Sequence, residues 1–328
     1  MTETLGTDRP QRAVELIPLP TDRVVDLDST AGRSAAEYFC DLLALNGVRP
    51  QTGDVLAVTS KIVSFHEGAA VRLSDVMPSR KARVLGRLFR KDPREVQVLM
   101  EVGRVAIVIP MTWLVRYQPL WRAHEAMSPN PEAMRRAFAQ NHAFTFMVNA
   151  HAAYLDDAGI DHSNVPDGVV VVLPKDPCAV ASRIRAGVQE RFGAEVAVVI
   201  TDTLAKLGRV GSNDVAVGYA GMDPVSRLTF GDDLFGVPRS GGVDVIIDSI
   251  AAMAGLVMGQ RTEMTPAVLV RGVTYKPAPA GEEGAGMRAL EYPPGTLWRG
   301  VVLTLVASVG FRVANLLTFQ RWPRRTRA

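Results

Sequence analysis

Along the chain, short runs rich in apolar residues alternate with amphipathic stretches, a pattern that predicts strands alternating with helices. Residues 54–63, 169–173, 196–200 and 267–270 read as buried strands, because apolar side chains there leave no polar face. Residues 176–192 carry Ala181, Ile184, Val188 and Phe192 at helical spacing, behind a Lys-Asp-Pro turn suited to a helix N-terminus. Residues 249–258 predict a second helix built from small residues. Between residues 80 and 91 the spacing sets Arg80, Arg83, Arg87 and Arg90 on one helical face, opposite Leu85 and Phe89, with Pro93 expected to end the helix. The fold class that follows is α/β, mixed with α+β character.

Residues 105–144 combine a strand-like start, several aromatic residues and a helical stretch over 131–140. They read as an inserted segment, either a lid beside a substrate or an exposed structural excursion. Residues 274–286 are rich in Pro and Gly and predict a linker. The expected organisation is a main domain over 13–273, that linker, and a hydrophobic and basic tail over 287–328. Within the tail, residues 300–320 hold Arg312 as their only charge and match the ~20 residues that a helix needs to cross a bilayer. Arg312 and Asn315 are costly in lipid, so a buried helix is the expectation and a membrane-associated tail the alternative.

Composition narrows the class. The 328 residues are 47% hydrophobic and 22% charged, enough apolar material for a sizeable globular core. The net charge of +3 names no partner by itself, and the arginine stripe lacks the interleaved aromatics of a nucleic-acid surface, so no nucleic-acid partner is expected. The stripe reads as a solvated face, with an anionic ligand the alternative. Cys40 and Cys178 are the only cysteines and residues 1–12 lack a basic and apolar export signal, so the expected setting is cytoplasmic.

Candidate chemistry is thin in motifs. No Gly-x-x-x-x-Gly-Lys-Ser/Thr loop, dinucleotide fingerprint, nucleophile elbow or His-Glu-x-x-His is present. The histidines show no i, i+4 pair, so zinc is not expected. Two aspartate-bearing segments stand out, Asp156-Asp-Ala-Gly-Ile-Asp161-His-Ser-Asn164 and Asp202-Thr203 just past a predicted strand. Carboxylates at strand ends suit a hard cation such as Mg²⁺; equally, Asp161 caps a turn and Asp202 caps a helix in the plainer reading.

The run Gly53-Asp-Val-Leu-Ala-Val-Thr-Ser-Lys-Ile-Val-Ser-Phe-His-Glu-Gly68 closely resembles the opening signature of the F420-0:gamma-glutamyl ligase (coenzyme F420-0:L-glutamate ligase) family. Three further blocks resemble it in order: Asp157-Ala-Gly-Ile-Asp-His-Ser-Asn164; Leu173-Pro-Lys-Asp-Pro177 through Ile200-Thr-Asp-Thr203; and Leu256-Val-Met-Gly-Gln260 before Val270-Arg-Gly272. The resemblance implies an intertwined homodimer of a distinctive α/β fold that takes GTP, with ATP the alternative, and Mg²⁺ or Mn²⁺. It implies an amide ligase: the γ-phosphoryl group activates a small-molecule carboxylate as an acyl phosphate, and an amino acid amine displaces phosphate. Carried over by position, Asp161, Asp202 and Gln260 match metal ligands, Thr203 accompanies the two aspartates as catalytic, and Ser60, Lys61, Asn164, Met258 and Gly259 match nucleotide contacts. His151, Lys206 and Arg209 are the matching substrate candidates.

The chain departs from the family where Phe65 replaces a nucleotide-contacting lysine, where Leu204-Ala-Lys-Leu-Gly-Arg209 replaces a Gly-Arg-Pro segment, and at His151-Ala-Ala-Tyr-Leu-Asp-Asp157. Those departures imply a retained ligase mechanism with an altered acid or amine. The alternatives are an authentic F420-0:L-glutamate ligase and a catalytically silent relative that serves as a binding or membrane-tethered protein.

Overall fold

The computed structural model describes residues 13–25, 30, 32–111, 117–140, 144–163, 165–206, 209–226, 232–238, 243–278, 286–291, 293 and 295–317. Residues 1–12, most of the linker and residues 318–328 lie outside the described residues. The chain divides into two compact units, Met1–Arg288 and Ala289–Ala328.

In the first unit the apolar runs become a five-stranded sheet. In chain order the elements of both units include β1 (Glu15–Leu19), α1 (Ala35–Leu45), β2 (Val55–Thr59), α2 (Ser60–His66), β3 (Ala70–Arg72), α3 (Arg80–Phe89), α4 (Pro93–Val102) and β4 (Arg104–Ile109). There follow α5 (Gln118–Met127), α6 (Pro131–Gln140), β5 (Thr145–Ala150), β6 (Ala153–Asp156), β7 (Val169–Val171), α7 (Pro177–Phe192), β8 (Ala197–Ala205) and β9 (Ser212–Ala220). The rest are β10 (Val225–Ser226), β11 (Asp244–Val245), α8 (Ile246–Met258), β12 (Ala267–Arg271) and α9 (Thr296–Leu317).

The main sheet has the order β1-β12-β2-β8-β9, and β2 and β8 form its only parallel pair, with Val58 opposite Ile200 and Thr59 opposite Thr201. Side chains alternate across the pleat, so Leu56, Val58, Val198 and Ile200 pack into one core with α1 and α7. Ala57, Val199 and Val268 are buried as well, and α8 packs against strands of this sheet through Ile247, Ile250 and Ala254. Burial on both faces is why these strands read as continuous apolar runs. Phe39, Leu43 and Ile184 are fully buried, each contributing roughly 1.5–3 kcal/mol of transfer free energy.

The expected strand over 54–63 is shorter than its pattern: β2 stops at Thr59 and α2 begins at Ser60. Val63 and Phe65 are buried from the helix, a packing that outweighs the strand preference of Ile62 and Val63. Pro93 does not end the arginine helix but opens the next one. α3 stops at Phe89 with Arg90 left-handed, φ 50°, and Pro93 takes the first helical position of α4, where its missing N–H costs nothing. Arg80, Arg83, Arg87 and Arg90 are exposed, the solvated face expected, whereas Lys91 is buried.

Residues 104–140 include β4 and helices α5 and α6, and β4 pairs with β5 in a three-stranded β4-β5-β6 sheet. A second core joins Phe146 and Val148 of β5 to Ala82, Val96 and Leu99 of α3 and α4.

The tail helix α9 belongs to the second unit and runs for 22 residues. Among the described residues, no helix is long and apolar enough to cross a membrane.

Candidate functional site

At the ends of the parallel strands β2 and β8, the chain leaves one strand into α2 and continues the other past a register shift between Ile200 and Thr201. A bulge there re-aims the side chains that follow. It leaves Asp202 and Thr203 inside β8 rather than at a helix N-cap, which sets aside the capping reading of Asp202. A cleft of about 590 Å³ opens at this point, lined among others by Ser60, Lys61, Asp161, Asp202, Thr203 and Gln260.

Lys61 reaches from the first turn of α2 to the loop after the 3-10 turn Asp157–Gly159. Its Nζ lies 2.7 Å from Asp161 Oδ2 and donates to the Ser163 carbonyl at 2.9 Å and to Ser163 Oγ at 2.7 Å. Asp161 Oδ1 accepts from the Ser163 N–H at 2.7 Å and from its hydroxyl at 2.8 Å. Asp161 therefore caps a local turn, as its plainer reading anticipated, and also faces the cleft.

Asp202 is in a different condition. The Thr203 N–H donates to its Oδ1 at 2.9 Å, while Oδ2 is buried with no hydrogen-bond partner among the described residues. Burial pushes its pKa from 3.8 up to about 7, with the charges of Asp161 and Asp214 adding to the rise and hydrogen bonds from Thr203 and Ser60 opposing it. A buried carboxylate with a raised pKa in a residue that lines a cleft is a candidate ligand position.

Next to it, Thr203, Asp214 and Gln260 form a closed triangle. The Thr203 hydroxyl lies 2.9 Å from Gln260 Oε1 and 3.1 Å from Asp214 Oδ1, and Gln260 Nε2 donates to Asp214 Oδ1 at 2.9 Å. Burial raises the pKa of Asp214, against the lowering effect of both partners. Asp214 gave no sequence signal, because it sits on β9 and meets Thr203 only through strand register. Asp156, whose pKa burial also raises, lines the same cleft, as do the cations Arg23 and Arg261, which were likewise not singled out.

Met258 closes α8 with its sulfur 4.0 Å from Thr201 Oγ1 on the cleft floor, and Gly259 follows at φ 71°. That φ, with ψ −178°, is a conformation that essentially only glycine adopts, and a Cβ there would also displace the Glu263 side chain. Phe65 also lines the cleft. His151, in the β5–β6 turn, and Lys206 and Arg209, exposed at the β8–β9 turn, are not among its lining residues, and Asn164 lies outside the described residues. Among the described residues, no group of three or more His, Cys, Asp or Glu side chains is gathered as a metal cage. The donor set on offer is instead Asp202, Asp161 and the amide oxygen of Gln260, which suits a cation that keeps waters and shares phosphate oxygens.

Comparison with known proteins gives a consistent set of relatives. The family model described as F420-0:Gamma-glutamyl ligase matches residues 29–272. The protein named Coenzyme F420:L-glutamate ligase from Methanopyrus kandleri is 34% identical over 257 residues, covering 78% of this chain and 86% of the relative. Its namesake from Methanothermobacter thermautotrophicus is 31% identical over 245 residues, covering 75% and 85%. That from Natronomonas pharaonis is 33% identical over 226 residues, covering 67% and 74%.

Proposed function

Because the chain belongs to the F420-0:gamma-glutamyl ligase family, whose members form carbon–nitrogen bonds, we propose that it joins L-glutamate to coenzyme F420-0 using a nucleoside triphosphate and a divalent cation. The observation that carries this reading is the buried, unpartnered Oδ2 of Asp202, a residue that lines the same cleft as Asp161 and Lys61.

The chemistry proceeds in two steps. A substrate carboxylate oxygen attacks the γ-phosphorus, the bond to the nucleoside diphosphate breaks, and an acyl phosphate results. The glutamate amine then attacks the acyl carbon, loses a proton and expels phosphate. Such transfers are accelerated mainly by positioning and by neutralising charge. Asp202, Asp161 and Gln260 are the residues that would hold Mg²⁺ or Mn²⁺, which supplies Lewis-acid neutralisation of the phosphate oxygens. Lys61, Arg23 and Arg261 bring fixed positive charge to the same cleft. Ser60, Met258 and Gly259 shape its wall toward the nucleotide, GTP in this reading with ATP the alternative. Thr203 and Asp214 fix the Gln260 amide so that its oxygen stays turned to the Thr203 side. The working unit in this proposal is a homodimer.

The names of the relatives favour F420-0 and L-glutamate over a redirected pair of substrates. Two placements support that choice. Arg23 and Arg261 bring positive charge to the cleft that Phe65 lines, and Lys206 and Arg209 of the altered segment lie at the β8–β9 turn and are not among the lining residues.

The test is incubation of purified protein with F420-0, L-glutamate, GTP or ATP, and Mg²⁺ or Mn²⁺, followed by phosphate release and product mass. Product heavier by one glutamate, absent with Asp202→Asn, is the expected result. Phosphate release without that product would restore the altered-substrate reading.

A further inference from the structure

We infer that Asp156 receives the ammonium group of the incoming amino acid, L-glutamate in the reading above on which this inference rests, and so selects the amine at the cleft. Asp156 ends β6. Its neighbour Leu155 is fully buried in the core, and successive strand side chains point to opposite faces, so Asp156 turns from that core and lines the same cleft as Asp161 and Asp202. The left-handed turn Asp157–Gly159 follows at once, and Gly159 packs against Asp202 Oδ2, which ties the end of β6 to the wall that carries Asp202. What sets Asp156 apart is that its carboxylate makes no hydrogen bond or ion pair among the described residues. The other acids here are engaged: Asp161 pairs with Lys61, Asp214 holds Thr203 and Gln260, and Glu263 accepts the Arg261 and Thr262 N–H groups. The adjacent Asp157 is paired with Lys91. Burial and the charge of Asp157 both raise the pKa of Asp156, as expected of a carboxylate with no cation at hand.

The charges of the reactants identify the occupant. The nucleotide phosphates are anionic and the acid substrate enters as a carboxylate, which suits Lys61, Arg23 and Arg261. The amino acid alone brings an organic cation, and the nitrogen of that ammonium group is the atom that must reach the acyl carbon. A carboxylate partly withdrawn from water offers it a charge-assisted hydrogen bond, which is stronger than a neutral one. Asp156 is not a third ligand of the cation held by Asp161 and Asp202, because no group of three His, Cys, Asp or Glu side chains among the described residues is gathered to hold an ion. It also falls in the 151–157 stretch where the chain departs from the family, so the contact is particular to this chain.

The test compares the full-length parent with Asp156→Asn and Asp156→Ser, two uncharged replacements whose folding is checked by thermal melting. At saturating nucleotide, F420-0 and Mg²⁺, the KM for L-glutamate is expected to rise about 10- to 100-fold in both, while the KM for the nucleotide changes less than about twofold. Glutarate, which is L-glutamate without its ammonium group, serves as competitor. Its inhibition constant should lie about tenfold or more above the parent's KM for L-glutamate and should change less than about twofold in the variants, whereas a merely structural defect weakens both ligands together. An unchanged KM for L-glutamate in the folded variants, a nucleotide KM that rises as far, or glutarate inhibition that weakens in step would each overturn the inference. So would a parent that glutarate inhibits at the KM of L-glutamate, a result that needs no variant. A parent that adds no glutamate to F420-0 overturns the ligase reading and this inference with it; an active parent with unaffected variants overturns this inference alone.

Discussion

Asp202 Oδ2 lies directly against Gly159, where a Cβ would stand 2.7 Å from that oxygen. Gly159 has φ 69° and follows Asp157 and Ala158, at 46° and 63°, so three successive left-handed residues press the turn onto the buried carboxylate. Substituting Gly159→Ala is therefore expected to destabilise the protein by roughly 1–3 kcal/mol through strain and contact together. Urea denaturation checks it, and a midpoint equal to that of the parent would contradict the packing described.

Asp202 also sets a pH dependence. Its pKa is raised in the folded protein, from 3.8 to about 7, so between those values the native form keeps a proton that the unfolded chain has lost. Stability consequently falls as pH rises from about 4 to about 7, by up to about 4 kcal/mol if this group acted alone, and stays reduced above that range. Asp202→Asn should raise the melting temperature of metal-free protein at pH 8, with the gain shrinking toward pH 4. A gain that grows as pH falls would refute the sign.

The ligase activity of Asp202→Asn should nonetheless fall by at least about a hundredfold, because the substitution removes a charge that the cation needs. The pairing of higher stability with lost activity is what separates a ligand role from a structural one.

Lys61 holds Asp161 and Ser163 from across the cleft. Lys61→Met is expected to lower kcat/KM for the nucleotide about 10- to 100-fold. The effect on stability should be under about 1 kcal/mol, since both groups retain access to water. Steady-state kinetics beside thermal melting tests the split.

Lys91 is buried 2.9 Å from Asp157 and 3.9 Å from Glu95. Asp157 in turn accepts the Phe146 N–H at 2.9 Å, so this lysine ties α4, β5 and the 157–159 turn together. Lys91→Ala should cost about 3 kcal/mol, because it leaves buried carboxylate charge uncompensated. A loss below about 1 kcal/mol in denaturant titration would contradict that assignment.

The local pattern of the chain already determined the helix over 177–192, which the sequence places within one residue, the buried strands around 55–59, 169–171, 197–200 and 267–270, and the segments bearing Asp161 and Asp202. Those features depend on periodicity and turn chemistry, which act between near neighbours. Tertiary structure decided the rest. Strand register brought Asp214 to Thr203, packing turned the run after Thr59 into a helix, and Lys91, next to the exposed arginine stripe, was buried against the Asp157 carboxylate. It also left Asp202 Oδ2 without a hydrogen-bond partner among the described residues. Each of these outcomes depends on which distant groups share a buried volume, and a one-dimensional pattern does not carry that relation.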